Sequence, residues 1–501
     1  MLVNQLMAES FAVSLDRAVG PLVLSLDVGS TGTRGGLFDA TGRPILKTRI
    51  KVDHAFRSNT AGRSEISPDQ IVHEVAAVLD AIAGPQYAGL IRGVAMDTFA
   101  SSLIGVDEDH AAVTPCYTYA DSRSAPQVEQ LRKVLDEEEL QQRTGTRLHT
   151  SYLPGRLRWI QNTQPDTFEL VRSWMSLGEY IYLRLLGVRG VAVSAAAWSG
   201  LLDRRTGEWD DELLTRIGVR PDQFAPPRNP DDPFTKLPKR LPRRWPGLAG
   251  AVWFAAIPDG FAANLGSGAL DEHTMAFSAS TSGALRVMVP GVPDHIPAGL
   301  WCYRIDADRS MLGGALNDVG AVVSWLDALT APPFRGSRDD WFAGPPRDAS
   351  PLMLPFLTGE RSTGWRGDAR AVIAEITSNT DVSAFYRGAM EGVAMSYRRV
   401  VEELETVAPG VERIVAAGGI TQLMPNWMTV VASVLDKPVF PITMKRSTLR
   451  GTALLALDTL APTVARAEPE AGELIVPNSR WVAEYNRRYQ RYLALYTEVF
   501  P

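Results

Sequence analysis

The stretch that decides the fold runs from residue 22 to residue 45 and reads LVLSLDVGSTGTRGGLFDATGRPI. An apolar run ends at Asp27, a Gly/Ser/Thr turn follows, a second run covers Gly36 to Phe38, and Thr41-Gly42 makes the next turn. That pattern predicts strand, tight turn, strand. The turn itself, DVGSTGTR at 27–34, carries features a nucleotide phosphate needs. Its glycines let backbone N–H groups point into one concavity, the hydroxyls of Ser30, Thr31 and Thr33 can donate to phosphate oxygens, and Arg34 offers a charge-assisted contact. Asp27, at the strand end, is placed to hold a hydrated Mg²⁺ bridging two phosphates. Read alone, the same residues also describe a purely structural hairpin.

Working outward, SPDQIVHEVAAVLDAIAG predicts an amphipathic helix, with Ser67 as N-cap, Pro68 at the first position and Ile71, Val72, Val75, Val78, Leu79 and Ile82 on one face. LIRGVAMD predicts a short strand ending at Asp97. The opening pattern returns as TMAFSASTSGALRVMV, where Ser278 lies 251 positions beyond Asp27, which suggests two domains of related design. Pro226 to Gly247 holds seven prolines and six Lys/Arg and predicts a solvated connector near the domain boundary. A second Pro/Gly-rich loop spans Ala331 to Pro351. Helices are expected from Asp381 to Val407, from about Trp427 to Leu435, over TLRGTALLALDTL and at the C-terminus, with a strand over VERIVAAGG. In the last helix Trp481, Tyr485, Tyr489, Tyr492, Leu495 and Tyr496 form a stripe that reads as a docking face.

The chain has 501 residues, too many for one core, and 51 Lys+Arg against 57 Asp+Glu leave a net charge of −6. That balance argues against nucleic acid or an anionic membrane as the main partner. We therefore expect an extension over 1–21, a first domain over 22–250 and a second over 251–501. Two distant cysteines, Cys116 and Cys302, build neither a disulfide framework nor a zinc site, which fits a reducing cytoplasm. The N-terminus lacks the layout of a signal peptide. The longest apolar stretch, Ala251 to Leu270, contains Pro258, Asp259 and Asn264, so no transmembrane span is expected.

Within that stretch Asp259 directly follows an apolar run and a proline. A carboxylate on such a rigid strand end could take the proton from a substrate hydroxyl attacking a γ-phosphate; it could equally cap the following helix. The loop SASTSG at 278–283 could cradle phosphate from the second domain. Other chemistries lack their motifs: His54, His73, His110, His149, His273 and His295 show no metal-ligand spacing, and GxSxG, GxGxxG and GxxxxGK[ST] are missing.

The ordered set DVGSTGTR at 27–34, YADSR at 119–123, PDGFAANLGSG at 258–268, STSG at 280–283, LPFLTGERSTGWRGDAR at 354–370 and AAGG at 416–419 resembles the FGGY family of carbohydrate kinases, from about Leu22 to the C-terminus. The resemblance implies an α/β protein of two RNase H-like, actin-type ATPase domains with an interdomain active-site cleft, the sugar mainly on the first domain and ATP mainly on the second. It implies Asp259 as catalytic base and Asp27 as the Mg²⁺-associated aspartate. Thr31, Gly32 and Arg34 match the first phosphate loop, Thr281 the second, Gly320 the glycine beside the nucleotide, and Gly418 and Gly419 the adenosine motif. Asp97, Thr98, Asp121 and Arg123 fall where family members line the polyol pocket.

Within the family, DTFASSLIGVD at 97–107, RTGTRLHTSYLPGRLRW at 143–159 and WMSLGEYIYLRLLG at 174–187 look most like bacterial gluconate kinases. Departures from the family pattern are Tyr119 in place of tryptophan, Ser280 in place of glycine, one extra residue between Gly418 and Trp427, and Thr429 and Ser433 where Gln and Asp are typical. The expected function is ATP- and Mg²⁺-dependent phosphorylation of a small sugar or sugar acid, gluconate to 6-phosphogluconate first, with a xylulose, ribulose or polyol kinase as the alternative. The expectation involves no nucleic acid and no membrane, and leaves room for a homodimer. The rival from another class is an actin- or chaperone-like nucleotide switch. A gluconate-type substrate would need a cationic partner, for which Arg123 is the candidate; pairing with Asp121 is its alternative role.

Overall fold

The computed structural model describes residues 11–329, 337–444 and 447–501, which divide into two compact units. Unit 1 runs to Gly268 and includes Tyr303–Ser310 and Met444–Pro469; unit 2 comprises Ala269–Cys302, Met311–Thr443 and Glu470–Pro501. Against the division at 250/251 expected from sequence, the first unit continues through the helix Asp259–Ser267 and takes in the helix Ser447–Leu460 from the far end of the chain. The cause is a backbone-to-backbone contact between these two helices. A Cβ on Gly451 would come 1.8 Å from the Ala262 carbonyl oxygen, and one on Gly266 would come 1.8 Å from that of Ser447. Only glycine permits so close an approach.

The sheet of unit 1 is built from β1 (Leu22–Gly29), β2 (Gly32–Phe38), β3 (Ile50–Asp53), β4 (Ile91–Thr98), β5 (Val252–Trp253) and β6 (Ile257–Pro258), in the order β5-β4-β1-β2-β3 with β6 also on β4. β1 is antiparallel to β2 and parallel to β4. Alternation sends neighbouring residues to opposite faces. Ser25 Oγ donates to the Leu449 carbonyl at 2.7 Å, tying one face to the helix Ser447–Leu460. On the other face Gly35, opposite Leu26, leaves room for Val78 and Ile82 of the helix Pro68–Ile82. With both faces covered, the strand reads as the nearly unbroken apolar run seen in the sequence. The helix begins as predicted, the Ser67 hydroxyl accepting the Gln70 N–H.

Of the expected N-terminal extension, residues 1–10 lie outside the described residues, while Val13 is buried and donates its N–H to the Pro44 carbonyl. The proline-rich connector 226–247 falls inside unit 1 rather than at a boundary: Pro227–Arg228 pairs in parallel with Val191–Ala192, and Leu241–Arg244 forms one helical turn. In the second Pro/Gly-rich loop, residues 331–336 lie outside the described residues.

The second sheet repeats the design with β7 (Thr274–Ala279), β8 (Gly283–Pro290), β9 (Trp301–Arg304), β10 (Arg309–Leu316), β11 (Arg413–Ala417) and β12 (Val439–Pro441), ordered β9-β10-β8-β7-β11-β12. Again a hairpin's first strand, β7, pairs in parallel with a later strand, β11. Helix Val382–Glu405 starts from the Asp381 cap, and the aromatic stripe of helix Ser479–Val499 docks on it: Tyr489 donates to Glu402 at 2.7 Å, and the Tyr492 and Ser396 hydroxyls lie 2.9 Å apart. Among the described residues no helix is long and apolar enough to cross a membrane.

Candidate active site

Strand register brings three carboxylates to the carboxyl ends of neighbouring strands in unit 1. Asp27 on β1 lies opposite Asp97 on β4, and Ile257 and Pro258 of β6 pair with Asp97 and Thr98, so that Asp259 emerges beside them. Ends of parallel strands are where open α/β sheets hold ligands. Arg34, opposite Asp27 on β2, pairs with its carboxylate at 3.1 Å and donates to Thr31 Oγ1 at 3.1 Å. At Gly32 a Cβ would fall 2.6 Å from the Val52 carbonyl oxygen, so the turn needs glycine there. Thr31 is exposed at the tip.

Asp97 is fully buried, not an open pocket wall. Thr452 of helix Ser447–Leu460 donates to its Oδ2 at 2.6 Å, while its Oδ1 is buried with no donor among the described residues. Burial first, and then the charges of Asp27 and Asp259, hold the Asp97 carboxyl well above the usual carboxylate range. An orphaned oxygen beside a second carboxylate fits a divalent cation, and Mg²⁺ asks for only one or two carboxylates alongside water and phosphate. No group of three or more His, Cys, Asp or Glu among the described residues forms a complete ligand set. Asp259 is the first residue of its helix, with Pro258 as the cap; its Oδ1 takes the Gly260 N–H at 2.7 Å and the residue stays partly exposed.

Thr98, Ser101, Ser102, Trp174, Glu179 and Pro258 line a pocket next to Asp259. Burial pushes the Glu179 carboxyl up to about 7, although the N–H and hydroxyl of Ser176 both donate to it at 2.8 Å. An aromatic series leads away from Thr98: Phe99 meets Phe56 edge-on at 5.0 Å, and Phe56 meets the exposed Tyr119 at 6.5 Å.

Asp121 and Arg123 are brought together, but on one another. Arg123 Nε donates to both Asp121 oxygens at 3.0 and 3.1 Å, its Nη2 reaches Glu65 at 3.1 Å, and the guanidinium lies 4.5 Å over the Trp159 ring. Its charge is therefore shared between two carboxylates, the alternative role considered from sequence. Glu65 was not singled out in the sequence; nothing in its spacing marks it. Thr452 was missed too, since it sits 355 positions from Asp97.

In unit 2 the expected nucleotide residues gather at one end of the sheet. Ser278 pairs with Ala417, which places Gly418 against the β7–β8 hairpin, where a Cβ would meet the Ala279 carbonyl at 2.1 Å and φ is +119°. The Gly320 N–H donates to the Ser280 carbonyl at 2.8 Å, and Val319 and Ala321 donate to that of Thr281. Ser280, Thr281 and Gly419 are exposed. Ser433 is buried, donating to the Thr429 carbonyl and accepting the Asn478 N–H, so it serves the fold.

Comparison with known proteins agrees with this layout. Gluconokinase of Bacillus subtilis (strain 168) is 24% identical over 448 residues, covering 87% of each chain. Xylulose kinase of Lactococcus lactis subsp. lactis (strain IL1403) is 22% identical over 497 residues, covering 95% of this chain and 96% of the relative. The crystal structure of gluconate kinase from Lactobacillus acidophilus superposes with a TM-score of 0.88 at 22% identity, covering 95% of this chain and 98% of that one. Residues 22–266 match the N-terminal domain and residues 276–459 the C-terminal domain of one family, and the chain accordingly belongs to the FGGY family of carbohydrate kinases, phosphotransferases built on two ribonuclease H-like, actin-like ATPase domains.

Proposed function

We propose that the protein transfers the γ-phosphoryl group of ATP to a hydroxyl of a small sugar or sugar acid, with Asp259 as general base. The observation that carries this reading is the position of Asp259, on a rigid strand end beside Thr98 and the Asp27–Asp97 pair. Asp259 takes the proton of the acceptor hydroxyl as that oxygen attacks phosphorus, and ADP leaves. Asp27 and Asp97 would hold Mg²⁺, which when bound offsets charge on the phosphate oxygens. On unit 1 the turn around Thr31, Gly32 and Arg34 is read as a phosphate contact, and on unit 2 Thr281, Gly320, Gly418 and Gly419 are read as nucleotide contacts, each through N–H groups and hydroxyls. Family membership removes the motive for the nucleotide-switch reading.

Gluconate is the first acceptor to test, because relatives named gluconokinase match over most of the chain. Xylulose or another neutral sugar is the second. It is favoured by Arg123, whose charge is already matched by Asp121 and Glu65, leaving less for a substrate carboxylate. A coupled ADP assay over gluconate, xylulose, ribulose and glycerol decides between them. Sugar-dependent ADP release is expected with one acceptor strongly preferred, and Asp259→Asn is expected to lower kcat by about 10²–10⁴ with ATP binding retained. Near-normal turnover of that variant would refute the assignment of the base.

A further inference from the structure

We propose that His54 is a positioning residue for the phosphate turn Gly29–Gly32, an inference that rests on reading that turn as a nucleotide contact. His54 follows β3, and its side chain is completely buried. Nδ1 lies 2.7 Å from Glu74 Oε2 of the helix Pro68–Ile82, and Nε2 lies 2.8 Å from the Gly29 carbonyl oxygen. The backbone N–H of the same residue donates to the Thr31 carbonyl at 3.4 Å. One residue thus grips the turn at both ends of its two-residue tip.

The grip sets orientation. In a trans peptide the C=O and the following N–H point in opposite directions within one rigid plane. Holding the Gly29 carbonyl toward His54 therefore turns the Ser30 N–H to the opposite side, and holding the Thr31 carbonyl fixes the next plane but one. Glu74 anchors the ring from behind. It also accepts from Thr33 Oγ1 at 2.8 Å and from Gln70 Nε2 at 2.9 Å, so its position is determined by the helix and by β2 together. The ring thus sits between a helix carboxylate and the turn's carbonyl, with one nitrogen within hydrogen-bond distance of each. Preorganised N–H groups cost no reordering when an anion arrives.

The test is ATP binding by calorimetry alongside steady-state kinetics on the full chain. His54→Leu, which keeps bulk but removes both ring bonds, should raise the ATP Kd and KM by about ten- to a hundredfold, the change expected for losing a hydrogen bond to a charged group. Sugar Kd should stay within about twofold, and His54→Gln, which can still donate to Gly29, should recover part of the loss. Should His54→Leu fail to fold, the Gln variant alone still reads the ATP-against-sugar split. Unchanged ATP affinity in both folded variants overturns the proposal, as does an equal loss of ATP and sugar binding with a lowered melting temperature. Gly32→Ala and Asp27→Asn separate the two layers: if they also leave ATP binding intact, the phosphate-turn reading fails, whereas if they weaken it and the His54 variants do not, only the positioning role fails.

Discussion

A buried acid beside two others stores a conflict that a pH series can expose. The Asp97 carboxyl is held well above its ordinary range by burial and by Asp27 and Asp259, so the folded chain keeps a proton there that the unfolded chain releases. Stability from this group is full below the ordinary carboxylate value of 3.8 and is lost as pH rises through the raised value. Without divalent cations, thermal melts at pH 5 and pH 8 should therefore differ, and Asp97→Asn should narrow the difference while Thr452 keeps its acceptor. Added Mg²⁺ should raise the melting temperature of the parent chain and not of the variant; an unchanged pH gap would show that the carboxylate pair is not its source. The strand-end positions of Asp27 and Asp259 were legible because each directly follows an apolar run. The surroundings of Asp97 were not, because its neighbours are set by strand register and by Thr452 on a helix far along the chain.

Elements with their own start signals were readable, and those defined by their partners were not. Ser67-Pro68 and Asp381 announce their helices, and both caps are present. The helix Leu177–Leu186 carries a capping box in which Ser176 and Glu179 satisfy each other's backbone, but here the third-position acid is buried beside the pocket at Thr98. Its carboxyl is raised from 4.5 to about 7 by burial, so its contribution to stability is present below pH 4.5 and is lost as pH rises through about 7. A shift of that size corresponds to roughly 3 kcal/mol. Glu179→Gln keeps an oxygen for the Ser176 N–H and hydroxyl while removing the charge. Urea unfolding should show the variant gaining on the parent chain between pH 5 and pH 8; equal slopes would mean that the carboxylate is solvated in solution.

At the scale of the whole molecule, duplication could be read from two similar hairpins, but the path of the chain between the units could not. Helix Ser447–Leu460 looks like any apolar helix of the second half, and only its fit against Gly266 and the Ser25 hydroxyl assigns it to unit 1. Its loss would uncover one face of β1 and β4. It would also remove Thr452 from Asp97, leaving a buried carboxylate without its donor, and would open the backbone contact at Ala262. A fragment of residues 1–268 should therefore lack a cooperative melt even though it contains β1 to β6 and the three carboxylates. Joining residues 444–469 to it through a flexible linker should restore a cooperative transition, and Gly451→Val within the added segment should abolish that rescue, since any side chain there meets the Ala262 carbonyl. A cooperative melt of the shorter fragment, matching that of the longer one, would show that the helix is an accessory to unit 1 rather than a part of its core.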